Sequence, residues 1–171
     1  APDPDWTGGV VTCRVLPYVL ENAMDYKIKK ITMPSGPGVR EGLRNGDLDF
    51  ACETWPSYST TKEKYVKEYG GDGSIVYYGK TGIVGVSGYF VPRYMIDGDS
   101  SRGIPASTPK LKSYKDLNQY KHMFKSLESG SQGNLIGCPT AAWECEDQKR
   151  LDLLGVDFYA QAMGSETAHW A

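Results

Sequence analysis

"NLIGCPTAAWECEDQKRLDLLGVDFYAQAMG", residues 134–164, is the stretch on which the fold class turns. The apolar run at 134–138 predicts a short strand, and the polar–apolar periodicity from Glu146 to Leu154 predicts a helix. Gly155 then marks a turn, and "VDFYAQA" returns as a final strand. Strand, helix and strand in immediate succession are the unit from which α/β domains are built. Between the first strand and the helix lies a loop with two cysteines, a proline and a tryptophan, Cys138 to Cys145.

The same alternation runs through the rest of the chain. Val11, Val15, Val19 and Ala23 form a stripe at helical spacing, with Leu16 and Leu20 beside it, and Pro17 predicts a kink or an early stop. "YKIKKITM" (26–33) predicts a strand. A short helix from Val39 to Arg44 follows, closed by a turn at Asn45-Gly46. "LDFAC" (48–52) predicts a strand that delivers "ETWP", and residues 60–70 predict a helix stopped by Gly70-Gly71. "SIVYY" (74–78) and "GIVGVSGYFV" (82–91) read as strands. Residues 95–113 read as a loop, with Ser113 as N-cap of a helix over 114–126. The expected architecture is α/β in two lobes, 1–88 and 89–171, with a cleft between them and a crossing near 85–95.

Composition narrows the function. A formal charge of −2 offers no electrostatic footprint for nucleic acid or an anionic membrane surface. No run reaches the ~20 apolar residues of a membrane span. Nucleophile-elbow, phosphate-loop and His-Glu-x2-His motifs are all missing, and two histidines make acid–base catalysis improbable. The cysteines lack the paired spacing of a zinc site, so neither metal nor cofactor is expected. "GPGVREG" (36–42) reads as a helix-entry turn. Cys138 and Cys145 close a loop short enough for a disulfide in an oxidising compartment. Nothing local supports pairing of Cys13 with Cys52, and free buried thiols are the expectation there.

Aromatic residues at element ends point to binding. Trp55 follows the strand predicted over 48–52, and Trp143 stands between two cysteines. Both fall at the mouths of predicted strands, where open α/β sheets place ligands. A tryptophan face there attracts a cation by about 0.5–1 kcal/mol when exposed and ~2 or more when water is excluded.

These residues resemble the glycine betaine/proline betaine substrate-binding proteins of ABC transporters, of the type 2 periplasmic-binding fold. The resemblance is carried by "YVLENAMDYKI" (18–28) with Trp6 upstream, "GVREGLRNGDLDFACETWP" (38–56), "GYFVPRYM" (88–95), "SYKDLNQYKHMF" (113–124), "IGCPTAAWECEDQKRLDLLGV" (136–156) and "GSETAHWA" (164–171). It implies that Trp55 and Trp143 are two walls of an aromatic box around a trimethylammonium group. It also implies that N–H groups at Glu144 and Cys145 receive the ligand carboxylate at a helix start, and that a Cys138–Cys145 disulfide holds the loop.

The chain departs from the family pattern in four places. Its cysteine loop is one residue longer. Ser59 falls where some relatives place a carboxylate-binding histidine. Glu144 adds an acid beside the expected anion site. The family's first strand before Trp6 and its C-terminal return with a further aromatic wall are expected to be absent, so the chain is either a fragment of a longer protein or has its first lobe completed by a second copy or another chain.

The reading as a whole is a non-enzymatic, periplasmic or extracellular solute-binding protein. It would take a quaternary-ammonium osmolyte such as glycine betaine, proline betaine or a choline-like cation by closing a hinge near Gly85–Pro92, then pass it to ABC transporter membrane subunits. The alternative is a sensory or structural module that keeps the fold without feeding a transporter.

Overall fold

The computed structural model describes residues 1–55 and 61–164. The chain divides into two units. Unit 1 comprises Ala1–Gly82, Cys138–Cys145 and residues 163–164 of the C-terminal segment; unit 2 comprises Ile83–Gly137 and Glu146–Ala162. The division at 88/89 expected from sequence assigns the Trp143 loop to the second lobe, whereas here that loop packs with the first unit.

Unit 1 opens with strand β1 (Pro2–Asp3), helix α1 (Thr7–Ala23) and strand β2 (Ile31–Thr32). The two strands pair in parallel, Pro2 opposite Ile31 and Asp3 opposite Thr32. The Ala1 nitrogen donates to the Lys29 carbonyl at 2.8 Å and extends the pairing by one residue. A strand therefore does precede Trp6, contrary to the sequence expectation. It is only two residues long, with a proline in it, and gives almost no periodicity to read.

Helix α1 also turns differently from its apolar pattern. Gly9, Cys13 and Pro17 are buried, spaced four apart on one face, while Val11 and Val15 are each 63 % exposed. Cys13, on this buried face, is bridged to Cys52. This pairing corrects the expectation of free thiols; the partners are 39 residues apart, and no local signal links them. Pro17 neither stops nor shortens the helix, which runs on to Ala23.

Helix α2 (Pro37–Asn45) begins with proline at its first position and ends on Gly46 in the left-handed region at φ 80°. The Gly46 N–H reaches back to the Gly42 and Leu43 carbonyls. Residues 48–52 are not a strand, yet they lead to Glu53 and Trp55 as expected, with Leu48 buried against the Gly42 turn. Helix α3 (Lys62–Tyr65) passes into a 3-10 turn, Lys67–Tyr69, closed by Gly70. Of the strands expected over 74–91, only a bridge between Val66 and Ile75 forms among the described residues. Tyr78 and Val84 are at least 90 % exposed, because an alternating pattern makes a strand only where a partner edge receives it.

Unit 2 keeps the expected strand–helix–strand of its C-terminal part, but no strand forms over 83–91 and the helix expected over 114–126 is a short α-helix between two 3-10 turns. Helix α4 (Arg93–Asp97) and a 3-10 turn at Ser100–Arg102, capped by Asp99, structure the stretch read as loop. Ser113 caps the next element as expected and forms a capping box with Asp116. Helix α5 (Leu117–Tyr120) follows, then strand β3 (Gly133–Gly137), helix α6 (Asp147–Leu154) and strand β4 (Phe158–Ala162). β3 and β4 pair in parallel, from Gly133 opposite Phe158 to Gly137 opposite Ala162. Leu151, Val156 and Phe158 form the buried core, with Leu117, Phe124, Leu135 and Ala160 packed on it.

Three aspartates tie unit 2 to pH. Lys121 and then Gln132 donate to Asp157; the Lys112 and Ser113 amides donate to Asp116; the Ser101 hydroxyl and Arg102 donate to Asp99. Each interaction favours the ionised carboxylate and holds its pKa below the ordinary aspartate range. With folded values below unfolded ones, this stabilisation is complete above the ordinary range and is lost as pH falls through the folded values. The urea midpoint is therefore expected to stay level from neutral pH to about 5 and to drop below about pH 4. A midpoint unchanged down to pH 3 would refute that linkage.

Candidate functional site

Three tryptophans come together in unit 1. Trp6 occupies the step from β1 into α1, with extended backbone at φ −142°, at the carboxyl end of its strand. Its ring folds over the first turn of α1, where only glycine leaves room. A β-carbon at Gly8 would lie 2.6 Å from Trp6 Cζ3, and one at Gly9 would lie 2.5 Å from Trp6 Nε1.

From that floor Trp6 meets both tryptophans singled out by the sequence. Its ring centroid lies 6.5 Å from that of Trp55 at an interplanar angle of 63°, and 6.4 Å from that of Trp143 at 70°. Both are edge-to-face pairs, so the rings stand as walls to one another and not as a stack. Trp55 is 40 % exposed and Trp143 half-buried, so neither is sealed in a core.

The Trp143 loop is anchored at its ends and along its length. Cys138 and Cys145 are bridged, as the resemblance implies. Ala141–Trp143 make a 3-10 turn closed by Glu144 in the left-handed region at φ 56°. Helix α2 provides the seat. At its N-terminus Gly36, at φ 117°, lies so close under the Ala142 carbonyl that a β-carbon would collide with it. One turn later on the same face, Arg40 meets Glu144, Nη1 to Oε2 at 3.9 Å.

Arg40 also donates to Thr54 Oγ1 at 3.1 Å and to Thr61 Oγ1 at 2.9 Å. One guanidinium therefore joins the residue before Trp55 to the residue after Trp143. Burial lowers its pKa and the Glu144 carboxylate opposes that shift; an arginine stays charged in either case.

The remaining polar groups carry information about what could bind. The Trp55 indole N–H donates to Glu53 Oε1 at 2.5 Å. Glu53 Oε2 and Trp143 Nε1 are buried atoms that find no hydrogen-bond partner among the described residues. The Glu144 N–H, expected to face a ligand carboxylate, donates instead to the Ala141 carbonyl at 3.0 Å. Ser59 lies outside the described residues.

Sequence reasoning missed Trp6 and Arg40. Trp6 could have been found from its place just ahead of a helix opening with Gly8-Gly9. Arg40 could not, because its three partners, Thr54, Thr61 and Glu144, are all distant in sequence.

Against this geometry, residues 2–171 match the family model for the substrate-binding domain of ABC-type glycine betaine transport systems. The chain belongs to that family. Its members are extracytoplasmic solute-binding proteins of the type 2 periplasmic-binding α/β fold, and the helices and parallel strand pairs described above accord with it. The family assigns the chain a substrate-binding role in glycine betaine-type transport. No curated protein and no solved structure gives a significant match. Among the described residues no helix is long and apolar enough to cross a membrane.

Proposed function

We propose that unit 1 binds a small quaternary-ammonium osmolyte, of the glycine betaine, proline betaine or choline type, against the faces of Trp6, Trp55 and Trp143. The chain would act outside the cytoplasm and pass its ligand to the membrane subunits of an ABC transporter. The observation that supports this reading is the contact of Trp6 with both other rings, which supplies a third wall within the chain itself. Tetraalkylammonium groups have no N–H to donate, so they are recognised by dispersion and by the negative face of aromatic rings. Two rings that each meet Trp6 at a large angle suit such a group better than a planar or anionic one. Two disulfides fit an oxidising compartment.

Titration of intrinsic tryptophan fluorescence with glycine betaine, proline betaine and choline tests the proposal, with ammonium chloride as the control cation. A saturable change with at least one methylated cation, and none with ammonium, is the expected result. Silence from all three methylated compounds would overturn the proposal in favour of a module that keeps the fold without the ligand.

A further inference from the structure

We infer that the tryptophan cluster selects a monocation over a zwitterion, so that its ligand is a quaternary-ammonium alcohol of the choline class and not a betaine. The inference rests on the aromatic-box reading above and adds the charge of what the box holds.

Two of the three walls carry an acid. Glu53 precedes Trp55 by two residues and is hydrogen-bonded to its indole, and Glu144 directly follows Trp143. Trp6 touches both rings, so both acids belong to one cluster. The cation described against them, Arg40, faces Glu144, and its guanidinium is further engaged by the Thr54 and Thr61 hydroxyls. Glu53, Glu144 and Arg40 together carry a charge of −1.

A zwitterion entering this cluster brings its own carboxylate towards two others, with the arginine already opposite one of them. One of the two backbone donors that the family resemblance offers to that carboxylate, the Glu144 N–H, is closed onto Ala141. A choline-class cation meets the opposite situation. Its charge is attracted by the net negative charge of these three groups, and its hydroxyl can donate to Glu53 Oε2 or accept from Trp143 Nε1, the two buried atoms lacking a partner among the described residues. A buried acceptor without a donor is unfavourable, and a ligand that supplies one relieves it.

The test is calorimetry with tetramethylammonium, choline and glycine betaine on the intact chain and on two variants. Choline is expected to bind at least about tenfold more tightly than glycine betaine, the scale of one charge interaction near a protein surface. Glu53→Gln keeps an acceptor for the Trp55 indole and removes the charge. It should reduce that preference to within about threefold, with an unchanged thermal midpoint as the folding control. Glu144→Gln releases Arg40 and should raise the affinity for glycine betaine several-fold.

If glycine betaine binds the intact chain as tightly as choline does, or the ratio survives Glu53→Gln, the charge inference falls while the box stands. If tetramethylammonium and choline both fail to bind, the box itself falls and this inference with it.

Discussion

Trp6→Ala is expected to weaken binding of the preferred methylated cation by more than about thirtyfold while the chain stays folded. One ring in a water-excluded box contributes about 2 kcal/mol, and about 1.4 kcal/mol corresponds to a factor of ten. Trp6 stands to lose more than its own face, because it is the ring in edge-to-face contact with both Trp55 and Trp143. Its removal leaves both neighbours without the group that sets their angle. For a micromolar ligand, near −8 kcal/mol in total, the residual affinity falls to a Kd of tens of micromolar, which calorimetry still measures. Trp6→Phe retains an aromatic face over Gly8 and Gly9 and should recover most of the loss. Full affinity in the alanine variant would remove Trp6 from the box.

The second large effect concerns stability. Opening the Cys13–Cys52 bridge by a double substitution to serine is expected to lower unfolding free energy by about 4 kcal/mol, from the chain entropy of a 39-residue separation. Opening Cys138–Cys145, separated by seven residues, should remove only about 2 kcal/mol. Domains are stable by about 5–15 kcal/mol, so the first loss is a large share of the total. It also reaches the site, since Cys52 lies three residues before Trp55 and fixes the approach of that segment to α1. Denaturant midpoints of the two serine pairs, compared with the disulfide-intact chain, make the measurement. Equal shifts for the long and the short loop would contradict the entropic ordering.

What could be read from the residues alone separates by the range of the interaction responsible. The strand–helix–strand of 133–162 is legible because its signals are local: Gly155 stops the helix, and each apolar run is matched by its neighbour. Ser113 and Asp116 declare their capping box within four residues. The same holds for Gly46 at the end of α2.

Long-range choices are not legible in this way. Val11, Val15 and Val19 make the better apolar stripe, yet α1 buries Gly9, Cys13 and Pro17, the face that carries a bridge across 39 residues. Residues 74–91 have strand composition, but strand character needs an edge to pair with, which composition does not reveal. At the proposed site, the turn chemistry around Trp55 and Trp143 singles them out in the sequence. Their meeting with Trp6, and their joining through Arg40, are products of tertiary packing.

The path of the chain between its units has one more consequence. It passes from one unit to the other at 82/83, 137/138, 145/146 and 162/163. Trp6 and Trp55 lie before the first passage, and Trp143 lies between the second and third. No single cut of the polypeptide yields a piece that keeps all three rings and omits unit 2. The proposed site therefore cannot be inherited, excised or grafted as a contiguous cassette: recombination that exchanges the second unit must also carry, or break, the Cys138–Cys145 loop that holds Trp143.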